Sequence, residues 1–153
     1  TPGTVRILAS YERLFTPNIG AEARVGFAFN GGPKGNGPAF LPLHLEVRGK
    51  YWFGRDLFTR RGFRPFVNLG GGLGQVDAKL AVTIYDPTIP NKAQQTPQLD
   101  AYRKLGQGFI SAGGGFMYAF APNHGLVVNL NFMFMLPATG FVLEPSVGYQ
   151  LSL

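Results

Sequence analysis

Cysteine, charge and long apolar runs are all scarce in this sequence of 153 residues. It has no cysteine, so it can form neither a disulfide framework nor a thiolate metal site. Charged residues make up only 14% of the chain, against about a quarter in ordinary soluble domains, which argues against a water-facing exterior. No apolar run reaches the roughly eighteen residues that a transmembrane helix needs. This does not exclude transmembrane strands, which are shorter.

The net charge of +6 does not indicate a nucleic-acid-binding protein. The basic residues are scattered and form no stripe with interleaved stacking aromatics. We therefore expect no nucleic-acid partner.

Alternation of apolar and polar residues is the main pattern that the sequence does contain. In LPLHLEVRGKYWFG, residues 41–54, apolar side chains occupy odd positions while His44, Glu46 and Arg48 occupy even ones. A period of two predicts a β-strand with one apolar and one polar face. Seven such segments follow one another, separated by turns rich in Gly and Pro, and no helix-period stretch exceeds a turn or two. The length fits a single all-β domain over residues 1–153.

The fourth segment, residues 64–85, changes the phase of its alternation partway along. A bulge within GGGLGQ is expected to absorb the extra residue, since glycine tolerates the required dihedrals. The segment is longer than the roughly ten residues of a tilted bilayer crossing, so part of it should project beyond the membrane. The polar, Pro-containing residues 86–105 are predicted to form the longest loop.

The polar face of these segments predicts a closed lumen filled with ion pairs. It carries four acidic and four basic residues that can neutralise one another, which buried charges require. The predicted network consists of Arg6, Glu12, Glu22, Arg24, Glu46, Arg48, Lys50 and Glu144. The apolar face would then contact lipid. A soluble lipocalin-like ligand-binding barrel, apolar inside and polar outside, shows the same alternation and remains an alternative.

Loop lengths predict which end of the barrel faces the periplasm. The connections at 16–18, 54–63 and 121–125 would be periplasmic, and those at 30–42, 86–105 and 136–140 would face outward, as expected for short periplasmic turns and longer outer loops. Membrane barrels of this kind have an even number of strands. We therefore predict an antiparallel up-and-down transmembrane β-barrel with seven strands in this chain and an eighth that precedes residue 1 or comes from another chain.

Several segments resemble one family of bacterial envelope proteins. They are PGTVRILASYERL, YWFG, RPFVNLGGGLGQVDAK, LGQGF and GGGFMYAFAPNHG. Together they are similar to the outer-membrane β-barrel domain of myxobacterial envelope and motility-complex proteins. The resemblance implies a further strand before PGTVR, membership of an envelope assembly and no catalytic residue. The last strand also resembles the terminal assembly signal of outer-membrane barrels, except that its final residue is Leu153 and not an aromatic.

Candidate sites are few. Arg55, Arg60, Arg61 and Arg64 form a local basic cluster that could bind an anionic lipid head group or a partner protein on the periplasmic side. His44 would need a nucleophile and an orienting acid to support lipid hydrolysis or acyl transfer, and no serine has a motif context. The glycine runs lack the Lys-Ser/Thr and the helix of a phosphate-binding loop. We expect no catalytic residue, no metal and no cofactor.

These observations predict an integral protein of the outer membrane of a Gram-negative bacterium. It would act as membrane anchor and scaffold of a multi-protein envelope complex, with outer-membrane lipid, lipopolysaccharide and other envelope proteins as partners. A narrow pore or small-ligand conduit is the main alternative, although eight strands enclose little more than their own side chains.

Overall fold

The structure, a computed structural model, describes residues 4–30, 41–54, 61–83 and 98–151. Within these ranges no helix is long and apolar enough to span a bilayer. The strands are β1 (Thr4–Leu14), β2 (Ile19–Asn30), β3 (Leu43–Trp52), β4 (Gly62–Leu73), β5 (Val76–Thr83), β6 (Gln98–Leu105), β7 (Gly108–Ala121), β8 (His124–Leu136) and β9 (Gly140–Leu151).

Seven of the strands form one curved antiparallel sheet. Its order is β1-β2-β3-β4-β7-β8-β9, so every strand pairs with its neighbours in the up-and-down manner. The sheet curls like an open barrel, and we call the space on its concave side the lumen. The prediction of an all-β, up-and-down barrel with seven strands in this chain is confirmed.

The remaining two strands correct the prediction for residues 64–105. The extended region is not one bulged strand, because β4 ends at Leu73 and β5 begins at Val76 in a separate two-stranded sheet with β6. Residues 98–105, predicted to be loop, form β6 and pair with β5 from Val76↔Leu105 to Thr83↔Gln98. The sequence did not predict β6 because its residues are largely polar. It forms a strand by pairing with β5 in the hairpin. Residues 84–85 of the predicted strand region and residues 86–97 of the predicted loop lie outside the described residues.

The two ends of the barrel sheet differ in their connections. One end carries the link at 15–18, the connection from β3 to β4 and the link at 122–123, and we call it the turn end. Asn123, in the link between β7 and β8, has a positive φ of 64°, a conformation that Asn tolerates in tight turns. The other end carries the connection from β2 to β3, the β5–β6 hairpin and the link at 137–139, and we call it the loop end.

Glycines permit very close approach of neighbouring strands in the barrel sheet. A Cβ at Gly72 would collide with the carbonyl oxygen of Leu45, and one at Gly115 with that of Val128. Both glycine runs lie inside strands, β4 and β7, with no helix after them. They therefore serve strand packing and offer none of the geometry of a phosphate-binding loop.

Candidate functional site

The barrel sheet turns its apolar face outward and its polar face toward the lumen. Phe27 and Val147 are 62% and 73% exposed, whereas Arg24 and Glu46 are 7% and 3% exposed. The alternation along β3 is regular, with every even residue from His44 to Trp52 buried. This arrangement is the opposite of that in a lipocalin-like barrel, which buries its apolar face.

The first group of ion pairs joins the edge strands β1 and β9 to β2 and β3. Glu144 on β9 lies 2.6 Å from Arg6 Nη1 on β1 and 3.4 Å from Arg24 Nη1 on β2. Arg24 Nη1 donates to Glu46 Oε2 at 2.7 Å, and Ser111 Oγ donates to Glu46 Oε1 at 2.7 Å. A chain of alternating charge therefore runs from Arg6 on β1 through Glu144 on β9 and Arg24 on β2 to Glu46 on β3.

The second group lies nearer the turn end. Arg48 Nε donates to Glu22 Oε2 at 2.6 Å, and Lys50 Nζ lies 2.8 Å from the same oxygen. Lys50 also donates to Glu12 Oε2 at 2.9 Å, and Trp52 Nε1 donates to Glu12 Oε1 at 2.6 Å. All eight residues predicted for the lumen network thus meet in these two groups, and each acidic member contacts at least one basic member.

His44 is fully buried and lies at the loop-end side of the first group. Its Nε2 is 3.5 Å from Glu46 Oε2, and its ring stacks on Phe109 with centroids 5.2 Å apart. Ser111 donates to Glu46 and not to His44, so these side chains do not form a nucleophile and base pair. Among the described residues, no three potential ligands come together to hold a metal ion.

An apolar cluster occupies the lumen at each end of the ion-pair groups. At the turn end, Trp52, Phe66, Met117 and Ala119 pack together, with Leu14 and Val127 against them. We call these six residues the turn-end cluster. Lys50 Nζ lies 4.8 Å from the Phe66 ring centroid and 5.3 Å from the Trp52 ring centroid, so a cation–π contact joins this cluster to the charges.

The loop-end cluster comprises Val76, Leu105, Phe109, Met133 and Met135, with Ala78 and Val142 against it. Val76 and Leu105 belong to the base of the β5–β6 hairpin and form a cross-strand pair. The hairpin is also tied to β1, since Asp77 N donates to Thr4 Oγ1 at 2.9 Å. Its base therefore covers the lumen at this end.

The predicted basic cluster is only partly described. Arg61 is exposed beside the start of β4, at the turn end. Arg64 is half-buried and donates to the carbonyl oxygen of Phe63 at 2.9 Å. Arg55 and Arg60 lie outside the described residues. Arg61 is thus the member that the structure places where a partner or lipid head group could reach it.

Sequence reasoning missed the two apolar clusters. Phe66 shares the even positions of β4 with Asn68, and Phe109 shares the odd positions of β7 with Ser111. The alternation therefore does place Phe66 and Phe109 on the lumen face. They were missed because that face was identified by its charged residues. Their positions near the strand ends, beyond the ion pairs, explain why an otherwise polar face contains them.

Comparison with protein-family models, with curated proteins and with solved structures finds no match. The arrangement of the residues is therefore the basis for a proposal about function.

Proposed function

We propose that the chain is an integral outer-membrane β-barrel that anchors and organises a multi-protein envelope complex. The observation that carries the proposal is the polarity of the sheet: large apolar side chains cover the convex face, and paired charges fill the concave face. A transmembrane barrel needs this arrangement, because lipid solvates apolar side chains and does not solvate charged ones.

Strand length and aromatic placement support a bilayer crossing. The barrel strands have 10 to 14 residues, and a tilted transmembrane strand needs about 9–11. Exposed aromatics lie near both strand ends, among them Tyr51 and Tyr149 toward the turn end and Phe27 and Phe141 toward the loop end. Such side chains prefer the two membrane interfaces.

A filled lumen favours an anchor over a pore. Both apolar clusters and both ion-pair groups lie across the path that an ion would take. Salt-bridged side chains would have to separate, and two apolar layers would have to hydrate, before a continuous water column could form. The scaffold role and the link with motility rest on the family resemblance.

The first test concerns membrane integration. The full-length protein is expected to remain in the outer-membrane fraction after washing with alkaline carbonate, which releases peripheral proteins. Release into the supernatant would contradict the proposal.

The second test separates anchor from pore. Purified full-length protein reconstituted in planar bilayers is expected to give no steady ion current. A reproducible single-channel conductance would favour the narrow pore or conduit.

The third test concerns partners at the periplasmic side. Outer-membrane retention of other envelope proteins should fall when the full-length protein is deleted. Arg61→Glu should weaken the retention of a partner with an acidic surface, because it reverses an exposed charge at the turn end. Arg103→Glu is the matched control, since Arg103 is exposed on the hairpin at the opposite end. Equal effects of both substitutions, or no change on deletion, would contradict a periplasmic scaffold role.

A further inference from the structure

A cavity of about 900 Å³ lies in the lumen on the side of β1 and β9, and we call it the lumen chamber. It extends to the turn end, where Arg13 and Asn123 border it. None of its described lining residues belongs to the loop-end cluster, so the chamber does not continue through that cluster. Its volume lies within the range of roughly 300–1,000 Å³ that is common for small-molecule sites.

Most of the charged residues that border the lumen chamber are basic. They are Arg6, Arg13, Arg24, Arg48 and Glu12. Glu12 is the one acidic member among the described lining residues, and it already accepts from Lys50 and Trp52. A ligand in the chamber would therefore meet arginine side chains and a carboxylate that is already bonded.

The other carboxylates of the ion-pair groups are not among the lining residues of the chamber. Glu22, Glu46 and Glu144 each contact an arginine that does line it. They hold these arginines in place and leave the arginine side chains as the charged surface that borders the cavity.

Two of the lining arginines keep donors that no described residue accepts from. Arg6 Nη1 lies 2.6 Å from Glu144, and its Nε and Nη2 have no acceptor. Arg48 Nε lies 2.6 Å from Glu22, and its Nη1 has none. The two side chains are only 7% and 3% exposed. A guanidinium has donors alone, and a buried donor without an acceptor is costly.

The β8–β9 side of the chamber adds neutral donors. Asn129 on β8 is buried, and its Oδ1 accepts from Asn68 Nδ2 at 3.1 Å. Its Nδ2 has no acceptor among the described residues. Ser146 on β9 borders the same space and can donate through its hydroxyl group. Donors are therefore present on both sides of the chamber.

We propose that the lumen chamber binds an oxyanion, the phosphate or carboxylate group of a small solute or of a lipid head group, with Arg6, Arg48 and Asn129 as its donors. Such a group offers several acceptor oxygens and a charge opposite to that of the arginines. Hydrogen bonds from a guanidinium to an oxyanion are stronger than those between neutral groups. The inference goes beyond the proposed function, because it requires the folded lumen and no particular membrane or partner.

The position of the chamber gives an oxyanion two routes of entry. Arg13 is exposed beside the turn end and would attract anions from water. Tyr11 and Tyr149 border the chamber on the outward side of β1 and β9, where a lipid head group could enter between these strands. The ligand chemistry is the same for both routes, and two measurements separate the sources.

Titration calorimetry of the full-length protein in a nonionic detergent, with inorganic phosphate as the probe, tests the free-solute source. We expect saturable binding at constant ionic strength. Asn129→Asp keeps an oxygen for Asn68 and replaces the Nδ2 donor by a negative oxygen, so phosphate should bind about tenfold more weakly or worse. Ser10→Asp places the same charge at an exposed position of the chamber wall and should act alike, even if Asn129→Asp disturbs folding.

Gln107→Glu is the matched control for charge. Gln107 is exposed in the link between β6 and β7, at the loop end and outside the described lining of the chamber. The substitution adds the same charge as the two chamber variants, and the affinity for phosphate should not change. Equal affinities in the control and in a folded chamber variant would overturn the inference.

Native mass spectrometry of the full-length protein released from nanodiscs tests the lipid source. From nanodiscs with equal amounts of phosphatidylglycerol and phosphatidylcholine, the protein should retain phosphatidylglycerol, and Ser10→Asp should lose it. Retention without binding of inorganic phosphate would identify a lipid head group as the ligand, and the reverse result would identify a free solute. Absence of both kinds of binding from the folded protein, as when another segment of it fills the chamber, would overturn the inference.

Discussion

At the scale of single residues, Glu46 is the most widely shared carboxylate in the lumen. It accepts from Arg24 and Ser111 and lies beside His44. Glu46→Leu would leave Arg24 with only the longer contact to Glu144, and we expect the free energy of unfolding to fall by about 3–5 kcal/mol. The measurement is denaturant-induced unfolding of the refolded protein in detergent micelles.

Glu12→Leu is the matched control for this prediction. Lys50 keeps Glu22 at 2.8 Å after the substitution, so the main loss is the acceptor of Trp52 Nε1, worth about 1–3 kcal/mol. If the two variants were equally stable, the shared position of Glu46 would have no energetic importance.

The close approach of two strands at Gly72 gives a second prediction at the scale of single residues. Gly72→Ala brings a Cβ against the carbonyl oxygen of Leu45, and overpacking of this kind costs about 1–3 kcal/mol. Gly49→Ala is the control, because a Cβ there meets nothing closer than 3.9 Å. The same unfolding measurement compares the two, and a loss of equal size in both would show that close strand approach at Gly72 is unimportant.

At the scale of elements, the β5–β6 hairpin covers one end of the lumen. Gly74 N is bonded to Gln107 O at 2.8 Å, so a short turn can replace residues 76–105 without separating β4 from β7. We expect the shortened protein to fold and to expose the remaining members of the loop-end cluster, Phe109, Met133 and Met135. A cysteine introduced by Met133→Cys should then react severalfold faster with a membrane-impermeant maleimide than it does beneath the intact hairpin.

A milder change addresses the same element if the deletion disturbs folding. Val76→Ala together with Leu105→Ala keeps the hairpin but removes its apolar contacts with the loop-end cluster. Labelling of Met133→Cys should again accelerate. Unchanged labelling in both backgrounds would mean that the hairpin does not protect the lumen.

At the scale of the whole molecule, the exterior should respond to charge as a lipid-facing surface does. Val47 lies midway along β3 and is 65% exposed. In water Val47→Lys would be nearly neutral, but at the bilayer midplane it should cost about 2–4 kcal/mol. Unfolding from lipid vesicles measures the difference.

Tyr51→Lys is the control for depth, because Tyr51 lies on the same face near the turn end. Its cost should be no more than about 1 kcal/mol near the interface. A neutral Val47→Lys in vesicles would contradict the membrane orientation.

The same scale shows why part of this fold could be predicted from sequence. A period of two marks both a strand and its faces, so the alternation alone assigns the seven barrel strands and the shared face of residues such as Arg24 and Glu46. It could not assign the partners within the lumen, because the register between neighbouring strands decides that Arg48 meets Glu22. The hairpin was missed because β6 is polar and becomes a strand only by pairing with β5.

The ion pair between Arg6 and Glu144 also bears on assembly. The two residues are separated by 138 positions in the sequence, so a nascent or partly inserted chain that lacks β9 holds Arg6 without its counterion. In the proposed membrane barrel, transfer of such an intermediate into the bilayer would expose an uncompensated guanidinium. Entry of the first strands should therefore wait for the last, and insertion should proceed as one concerted event.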